Sequence, residues 1–245
     1  MLRQNGQVVT STHESRSTRM HRLEPMRSSL AIKIFSAIAL TLISLAVPVE
    51  AAAPTGEVEI SQLLGELQTA PPSTQPYDRA LFVHWIDADG DGCDTRQEVL
   101  IEESLTPVVK GSGCTVVSGK WYSWYDGATW TNPTDVDIDH FVPLSEAWKS
   151  GAASWTPDRR RAFANDLGLD TGLEAVTDNV NQSKSDQDPS TWVPPLANVE
   201  CRYVTDWVLM KYRWDLTVDT TEFAALNEKI SRTCASTIVT VPSKG

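Results

Sequence analysis

Histidine and cysteine are scarce in this sequence, with four of each among its 245 residues. None of the cysteines forms a Cys-x-x-Cys pair, so a zinc site is not expected. The sequence also has no Gly-x-Ser-x-Gly elbow, which argues against a serine hydrolase of the α/β type. Basic residues are outnumbered, because 21 Lys and Arg face 32 Asp and Glu and leave a net charge of −11. A chain this acidic needs a local basic patch and a bound cation to hold a nucleic acid, since phosphate contacts dominate such binding.

Residues 1–51 are predicted to be a leader that takes no part in the fold. Met26 and Arg27 precede an apolar run at residues 34–49, and small residues follow it. A charged start, an apolar middle and a small-residue cleavage site are typical of a secretory signal peptide. The run of about 16 residues is short for a membrane span. We therefore predict a true start at Met26, a secreted protein, and no stable membrane insertion after signal cleavage.

The remaining chain is predicted to contain one mixed α+β domain over residues 77–245. An N-terminal segment and a proline-rich linker precede it at residues 52–76. Thr156, Pro157 and Asp158 supply an N-cap, a proline at the first helical position and an acid in the first turn, which predicts a helix start. The predicted elements are strands within 108–125 and helices over 156–166, 195–212 and 220–234.

All four cysteines follow the leader, at Cys93, Cys114, Cys201 and Cys234. An even number of cysteines in an exported chain predicts two disulfides, with three connectivities open. We favour Cys93 with Cys114 and Cys201 with Cys234, because each pair closes a short local loop. The second bridge would join the last two predicted helices.

The dipeptide Asp139-His140 follows an alternating segment and precedes Pro143, which indicates a strand that ends in a loop. A carboxylate there could bind a metal while the imidazole accepts a proton from water. Taken alone, such a dipeptide is more often an ordinary surface turn.

A second element, NVNQSKSDQDP at residues 179–189, changes this interpretation. Together with DIDHFVPL at residues 137–144, it resembles the HNH (ββα-metal) nucleases, and in particular the exported bacterial HNH endonucleases of the DUF1524-related group. The resemblance covers residues 121–195. We therefore expect an α+β fold built around a ββα-metal motif, with flanking helices and two disulfides.

The resemblance implies a role for each matching residue. Asp139 and Asn181 match the metal ligands, and His140 matches the general base. Asn165 is the best match to the residue that orients this histidine, although Asn179 competes with it. The last ligand position holds an asparagine where the family name implies a histidine, and its amide oxygen suits Mg²⁺ or Mn²⁺.

Basic residues near the motif are candidates for contacts with substrate. The resemblance places Lys184 near phosphate. Arg159, Arg160 and Arg161 on the predicted helix, together with Arg202, would complete a local basic patch. A solvated helix face explains the arginine run equally well.

The segment at residues 87–98 fits the calcium loop of an EF-hand. The acids at positions 1, 3, 5 and 12 of that loop are Asp87, Asp89, Asp91 and Glu98. Position 8 is Asp94, where an apolar residue normally packs. A structural Ca²⁺ site, a metal-free acidic turn, and a segment in which Arg96 and Glu98 face the active site all stay open.

The sequence thus predicts a secreted, monomeric HNH endonuclease that hydrolyses phosphodiester bonds with low sequence specificity. DNA is the expected substrate, with RNA as an alternative, and the resemblance implies Mg²⁺ or Mn²⁺ at the active site. The competing function is a calcium-binding or adhesive module of the cell envelope that carries a decayed nuclease motif.

Overall fold

The computed structural model describes residues 53–245, so the predicted leader lies outside the described residues. The helices are α1 (Ile60–Gly65), α2 (Thr95–Glu102), α3 (Leu144–Lys149), α4 (Pro157–Ala164), α5 (Asp178–Lys184), α6 (Glu200–Arg213) and α7 (Thr220–Thr233). Short 3₁₀ helices cover Arg79–Leu81 and Ala152–Ser154. The strands are β1 (Glu57–Glu59), β2 (Val109–Lys110), β3 (Val116–Ser118), β4 (Trp121–Tyr122), β5 (Thr129–Trp130), β6 (Val136–His140), β7 (Leu173–Thr177) and β8 (Ile238–Thr240). This is the mixed α and β composition that the sequence predicts.

The strands pair two by two, and the β6–β7 pair is the longest. Its register runs antiparallel from Val136 opposite Thr177 to His140 opposite Leu173. Helix α5 begins at Asp178, directly after β7, and packs against both strands. The other antiparallel pairs are β1–β8, β2–β3 and β4–β5.

Helix α6 lies at the centre of the larger hydrophobic core. Its Tyr203, Val204 and Trp207 are fully buried. Helix α7 packs along it and buries one face, because an apolar side chain recurs every third or fourth residue. Helix α6 is buried on nearly all sides.

The described part of the predicted N-terminal segment, residues 53–76, belongs to the same compact unit as the rest of the described chain. Strand β1 pairs with β8 near the C-terminus, and Ile60 and Leu63 of α1 are completely buried against α6 and α7. The boundary predicted at residue 77 therefore does not separate this segment from the core. Its apolar side chains need the C-terminal helices for burial, and short-range patterns do not reveal such a contact.

Helix α4 begins as the sequence predicts. Thr156 is the N-cap, its hydroxyl accepts a hydrogen bond from the amide of Arg159 at 3.2 Å, and Pro157 is the first helical residue. The two C-terminal helices are also confirmed, over Glu200–Arg213 and Thr220–Thr233. No helix within residues 53–245 combines the length and the apolar character that crossing a bilayer requires.

Both predicted disulfides are confirmed. Cys93 bonds to Cys114 with their Cα atoms 4.9 Å apart, and Cys201 bonds to Cys234 with theirs 5.4 Å apart. The first bridge ties the start of α2 to the β2–β3 hairpin, and the second ties α6 to the end of α7.

Replacing both Cys201 and Cys234 with alanine is expected to lower the free energy of unfolding by about 3–4 kcal/mol, since the bridge closes a loop with a sequence separation of 33 residues in the unfolded chain. Urea unfolding followed by tryptophan fluorescence measures the loss. The same experiment on the wild-type protein with and without a reductant is the companion measurement. An unfolding midpoint that is unchanged in both comparisons would contradict a stabilising role for this bridge.

Candidate active site

An open cavity of about 540 Å³ lies at the end of β6. Its polar lining includes Tyr77, Arg79, Asp139, His140, Asn181 and Asp186. The structure therefore brings together three residues that the sequence predicts for one site, namely Asp139, His140 and Asn181. Asn165, Arg159 and Arg160 do not line this cavity.

Strand β6 and helix α5 position these residues. Successive side chains of a strand point to opposite faces, so Asp137 and Asp139 share one face of β6 while His140 lies on the other. Asn181 lies on α5, and its Nδ2 donates a hydrogen bond to Oδ2 of Asp137 at 3.2 Å. This bond aligns α5 with the acidic face of β6.

His140 is buried, and its ring is held by the backbone. Its Nε2 lies 2.9 Å from the carbonyl oxygen of Ala164. Because a carbonyl can only accept, Nε2 carries the proton, and in the neutral ring Nδ1 is the basic nitrogen. The indole of Trp85 lies over the imidazole, with ring centroids 5.3 Å apart. Burial lowers the pKa of His140 from 6.5 to about 3, which keeps the ring neutral at physiological pH.

Asp139 is also buried, and both of its oxygens have partners. Nζ of Lys184 lies 2.8 Å from Oδ1 and 2.6 Å from Oδ2. The hydroxyl of Tyr125 donates to Oδ2 at 2.6 Å. The carboxylate is thus fixed in orientation before any ligand arrives.

Lys184 lies in the interior, whereas the sequence predicts that it faces substrate. It is 0 % exposed, and besides Asp139 it contacts the carbonyl oxygens of His140 and Phe141 at 3.2 and 2.9 Å. In this structure its ammonium fixes the end of β6 and is not accessible to a phosphate.

The arginines of α4 are likewise engaged elsewhere. Arg160 is buried and donates to the carbonyl oxygens of Leu81 and Ala152, each at 3.3 Å. Arg159 pairs with Asp215 at 3.1 Å. Both arginines serve the packing of α4, so the predicted basic patch does not form beside the cavity.

Arg202 also lies in a structural pair. Its guanidinium donates to Glu174 at 2.6 Å and to Asp206 at 3.2 Å. It covers the indole of Trp124, 3.9 Å from the ring centroid.

Asn165 ends α4 and makes four hydrogen bonds, none of them to His140. Its Oδ1 accepts from the amide of Ile86 and from the hydroxyl of Thr95, at 3.2 and 2.9 Å. Its Nδ2 donates to the carbonyl oxygens of Val83 and Arg161, at 2.8 and 2.7 Å. The group that holds the ring of His140 is the backbone carbonyl of Ala164, the residue before Asn165. Asn179, the other candidate for that role, is exposed on α5.

Sequence reasoning missed four contributors to this site: Tyr77, Arg79, Tyr125 and the carbonyl of Ala164. A backbone carbonyl has no sequence signature, because every residue carries one. Tyr77 and Arg79 precede His140 by some sixty positions in the chain, and only the fold brings them to the cavity.

A comparison with protein families accounts for the central part of the chain. Residues 95–229, more than half of the sequence, match the family described as GmrSD restriction endonucleases, C-terminal domain. The chain belongs to this family. The matched range of the GmrSD C-terminal domain contains β6, β7 and α5, and with them Asp139, His140 and Asn181. Membership indicates a nuclease-related domain.

A fungal relative of this GmrSD-family protein extends the comparison beyond the matched domain. It is an uncharacterized secreted protein of Arthroderma benhamiae, 46 % identical over 204 residues, which cover 83 % of this chain and 98 % of the relative. The relative confirms the prediction that the protein is secreted. The bacterial origin and the HNH group that the resemblance implies for this protein stay predictions. No solved structure matches the chain.

The predicted calcium loop at residues 87–98 begins before the matched range and overlaps its start. Carboxylate oxygens of Asp87, Asp89 and Asp91 lie within 4.8 Å of one another, and all three residues are exposed. The carboxylate of Asp87 also accepts hydrogen bonds from the amides of Gly90 and Gly92, at 2.8 and 3.0 Å. Glu98 is not part of this group, so the loop does not assemble all four predicted ligands, and calcium binding stays a prediction.

Proposed function

We propose that this protein is a secreted, metal-dependent endonuclease of the HNH type, which hydrolyses phosphodiester bonds of nucleic acid. One observation carries the proposal: Asp139 and His140 of β6 meet Asn181 of α5 in one open cavity. Strand β6 pairs antiparallel with β7, and α5 follows β7 directly. This order and packing of β6, β7 and α5 support assignment as a ββα-metal motif. Membership of the restriction-endonuclease family supports the same chemistry.

His140 is the general base in this proposal. The carbonyl of Ala164 holds Nε2–H, so Nδ1 accepts a proton from water in the cavity. The water oxygen then bonds to phosphorus while the bond from phosphorus to O3′ breaks. The products are a 5′-phosphate and, once the leaving oxygen takes a proton from solvent, a 3′-hydroxyl.

The donor atoms at the cavity fit a hard divalent cation. An ionised carboxylate offers about four acceptor positions. At Asp139, Lys184 and Tyr125 each occupy one acceptor position of Oδ2, and Lys184 also occupies one of Oδ1. One acceptor position of Oδ1 is left. Asn181 uses its amide nitrogen on Asp137, and within residues 53–245 no hydrogen bond reaches its amide oxygen.

Asp139 and Asn181 would hold Mg²⁺ or Mn²⁺ through these oxygens, with Asp137 beside them. Bound there, the ion would stabilise negative charge that develops on the phosphate oxygens. The protein's own contribution is to fix the ligands in advance, because Lys184 and Tyr125 hold Asp139 and the hydrogen bond to Asp137 orients Asn181.

Incubation of supercoiled plasmid DNA with the purified protein tests this function. We expect cleavage with Mg²⁺ or Mn²⁺ and none after chelation, and a parallel reaction with RNA measures the preference between nucleic acids. If both nucleic acids stay intact with either metal, the protein is not the proposed nuclease. That result would favour the alternative, a calcium-binding or adhesive module of the cell envelope.

Replacing Asn181 with alanine is expected to lower the cleavage rate strongly and to raise the metal concentration needed for half-maximal rate, because one of two protein ligands is lost. High Mn²⁺ or Mg²⁺ should restore part of the activity. Asn179→Ala is the matched control, since Asn179 lies on the same helix and is exposed. An unchanged metal dependence in Asn181→Ala would show that this residue is not a ligand.

A further inference from the structure

One wall of the cavity comes from a segment outside the matched family range. Residues 77–84, which include the 3₁₀ helix Arg79–Leu81, contribute Tyr77 and Arg79 to the lining. Phe82 anchors this segment, since it is 1 % exposed and packs edge-on against Trp148 and Phe163 at centroid distances of 6.2 and 6.3 Å. The wall is therefore built into the core and is not a loose extension.

Two predicted site residues hold this wall in place. Nε of Arg160 donates to the carbonyl of Leu81 at 3.3 Å, and Nδ2 of Asn165 donates to the carbonyl of Val83 at 2.8 Å. Both residues are on or at the end of α4, whose Ala164 carbonyl holds the ring of His140. One helix thus positions the histidine and the segment that faces it.

Of the residues that the structure describes, Arg79 is the only lysine or arginine that lines the cavity. Its guanidinium is exposed, and an NH₂ group lies 3.4 Å from Nε2 of His84. Nδ1 of His84 donates to the carbonyl of Phe82 at 2.7 Å, so in the neutral ring Nε2 accepts from Arg79. Among residues 53–245, no carboxylate lies within ion-pair distance of Arg79.

We propose that Arg79 binds a phosphate group of the substrate strand next to the bond that is cut. This inference rests on the proposed nuclease function. A guanidinium presents a planar set of donors that matches two phosphate oxygens, and His84 occupies only one of its five N–H groups. In a protein of net charge −11, an unpaired cation at the cavity supplies the local attraction that a polyanion requires. Of the residues that the sequence predicts to contact substrate, Lys184 and Arg160 are buried and Arg159 pairs with Asp215.

Binding measured in the absence of cleavage tests the role of Arg79. In a His140→Ala background, the dissociation constant for a short fluorescent DNA duplex is measured with Mg²⁺ over a range of NaCl concentrations. Adding Arg79→Met is expected to weaken binding about tenfold and to reduce the slope of log K against log salt by about one phosphate contact. Arg79→Lys should recover part of the affinity, because it keeps the charge but loses the planar fork.

Arg232→Met is the matched control. Arg232 lies on α7, its side chain is 53 % exposed, it pairs with Glu200 and Glu228, and it does not line the cavity, so both the affinity and the slope should be unchanged. In the enzyme that retains His140, Arg79→Met is expected to raise KM more than it lowers kcat. If the wild-type enzyme cleaves DNA but Arg79→Met alters neither affinity nor slope, the assignment of Arg79 is overturned and the nuclease stands. If the wild-type enzyme neither binds nor cleaves nucleic acid, both proposals fail together.

Discussion

Replacing His140 with alanine is expected to abolish detectable cleavage of plasmid DNA, with a loss of about 10²–10⁴-fold in kcat, the usual contribution of a general base. The variant loses the imidazole that lines the cavity and whose orientation is fixed by the carbonyl of Ala164. Initial rates of nicking at saturating Mg²⁺ measure the effect. Metal binding should persist, because His140 is not a ligand in the proposed site.

Structural damage must be separated from loss of the base, since His140 is buried. Circular dichroism and the thermal unfolding midpoint of the variant address this directly. His84→Ala is a useful comparison, because its ring centroid lies only 5.8 Å from that of His140 but it bonds to Arg79 instead of a reacting water. It should lose at most about tenfold, the scale of one charged hydrogen bond. Cleavage by His140→Ala within a factor of about three of wild type would remove His140 from the mechanism.

Replacing Lys211 with methionine is expected to lower the free energy of unfolding by about 3–5 kcal/mol, because removing one partner leaves buried charge uncompensated. Lys211 is 0 % exposed. Its ammonium lies 2.9 Å from Glu146 and 3.0 Å from Glu222, and 2.6 Å from the hydroxyl of Ser150. This cluster joins α3, α6 and α7, and chemical denaturation measures its removal.

The loss should also grow with pH. Burial raises the pKa of Glu222 from 4.5 to about 7, against the opposing charge of Lys211. Without that charge the folded-state pKa rises further, so the folded variant binds more protons than the unfolded chain, and its stability falls as pH rises through this window. The difference from wild type should therefore be larger near pH 8 than near pH 5.

Lys149→Met is the matched control for this cluster. Lys149 approaches the same Glu146 at 3.7 Å, but its side chain is 40 % exposed. A solvent-screened pair of this kind contributes about 0–1 kcal/mol. A similar, small effect from both substitutions would show that Lys211 does not compensate buried charge.

Local patterns in the sequence determined several features that the structure confirms. The start of α4 follows from Thr156 and Pro157, since capping depends only on neighbouring residues. The disulfide pairs follow from their short separations, because loops that close locally are the least costly to form. Asp139, His140 and Asn181 were selected because their motifs resemble those of the HNH nucleases. The structure places them at one cavity, and their roles stay a prediction.

The partners of those side chains were decided only by tertiary structure. Lys184 is a cation in a polar stretch of sequence, and only the packing of α5 on β6 turns it inward onto Asp139. The carbonyl of Ala164 and the guanidinium of Arg79 reach the site because α4 and residues 77–84 pack beside β6. Side-chain periodicity reports which face of an element is buried. It does not report which distant element covers that face, because that choice depends on contacts between parts of the chain that are remote in sequence.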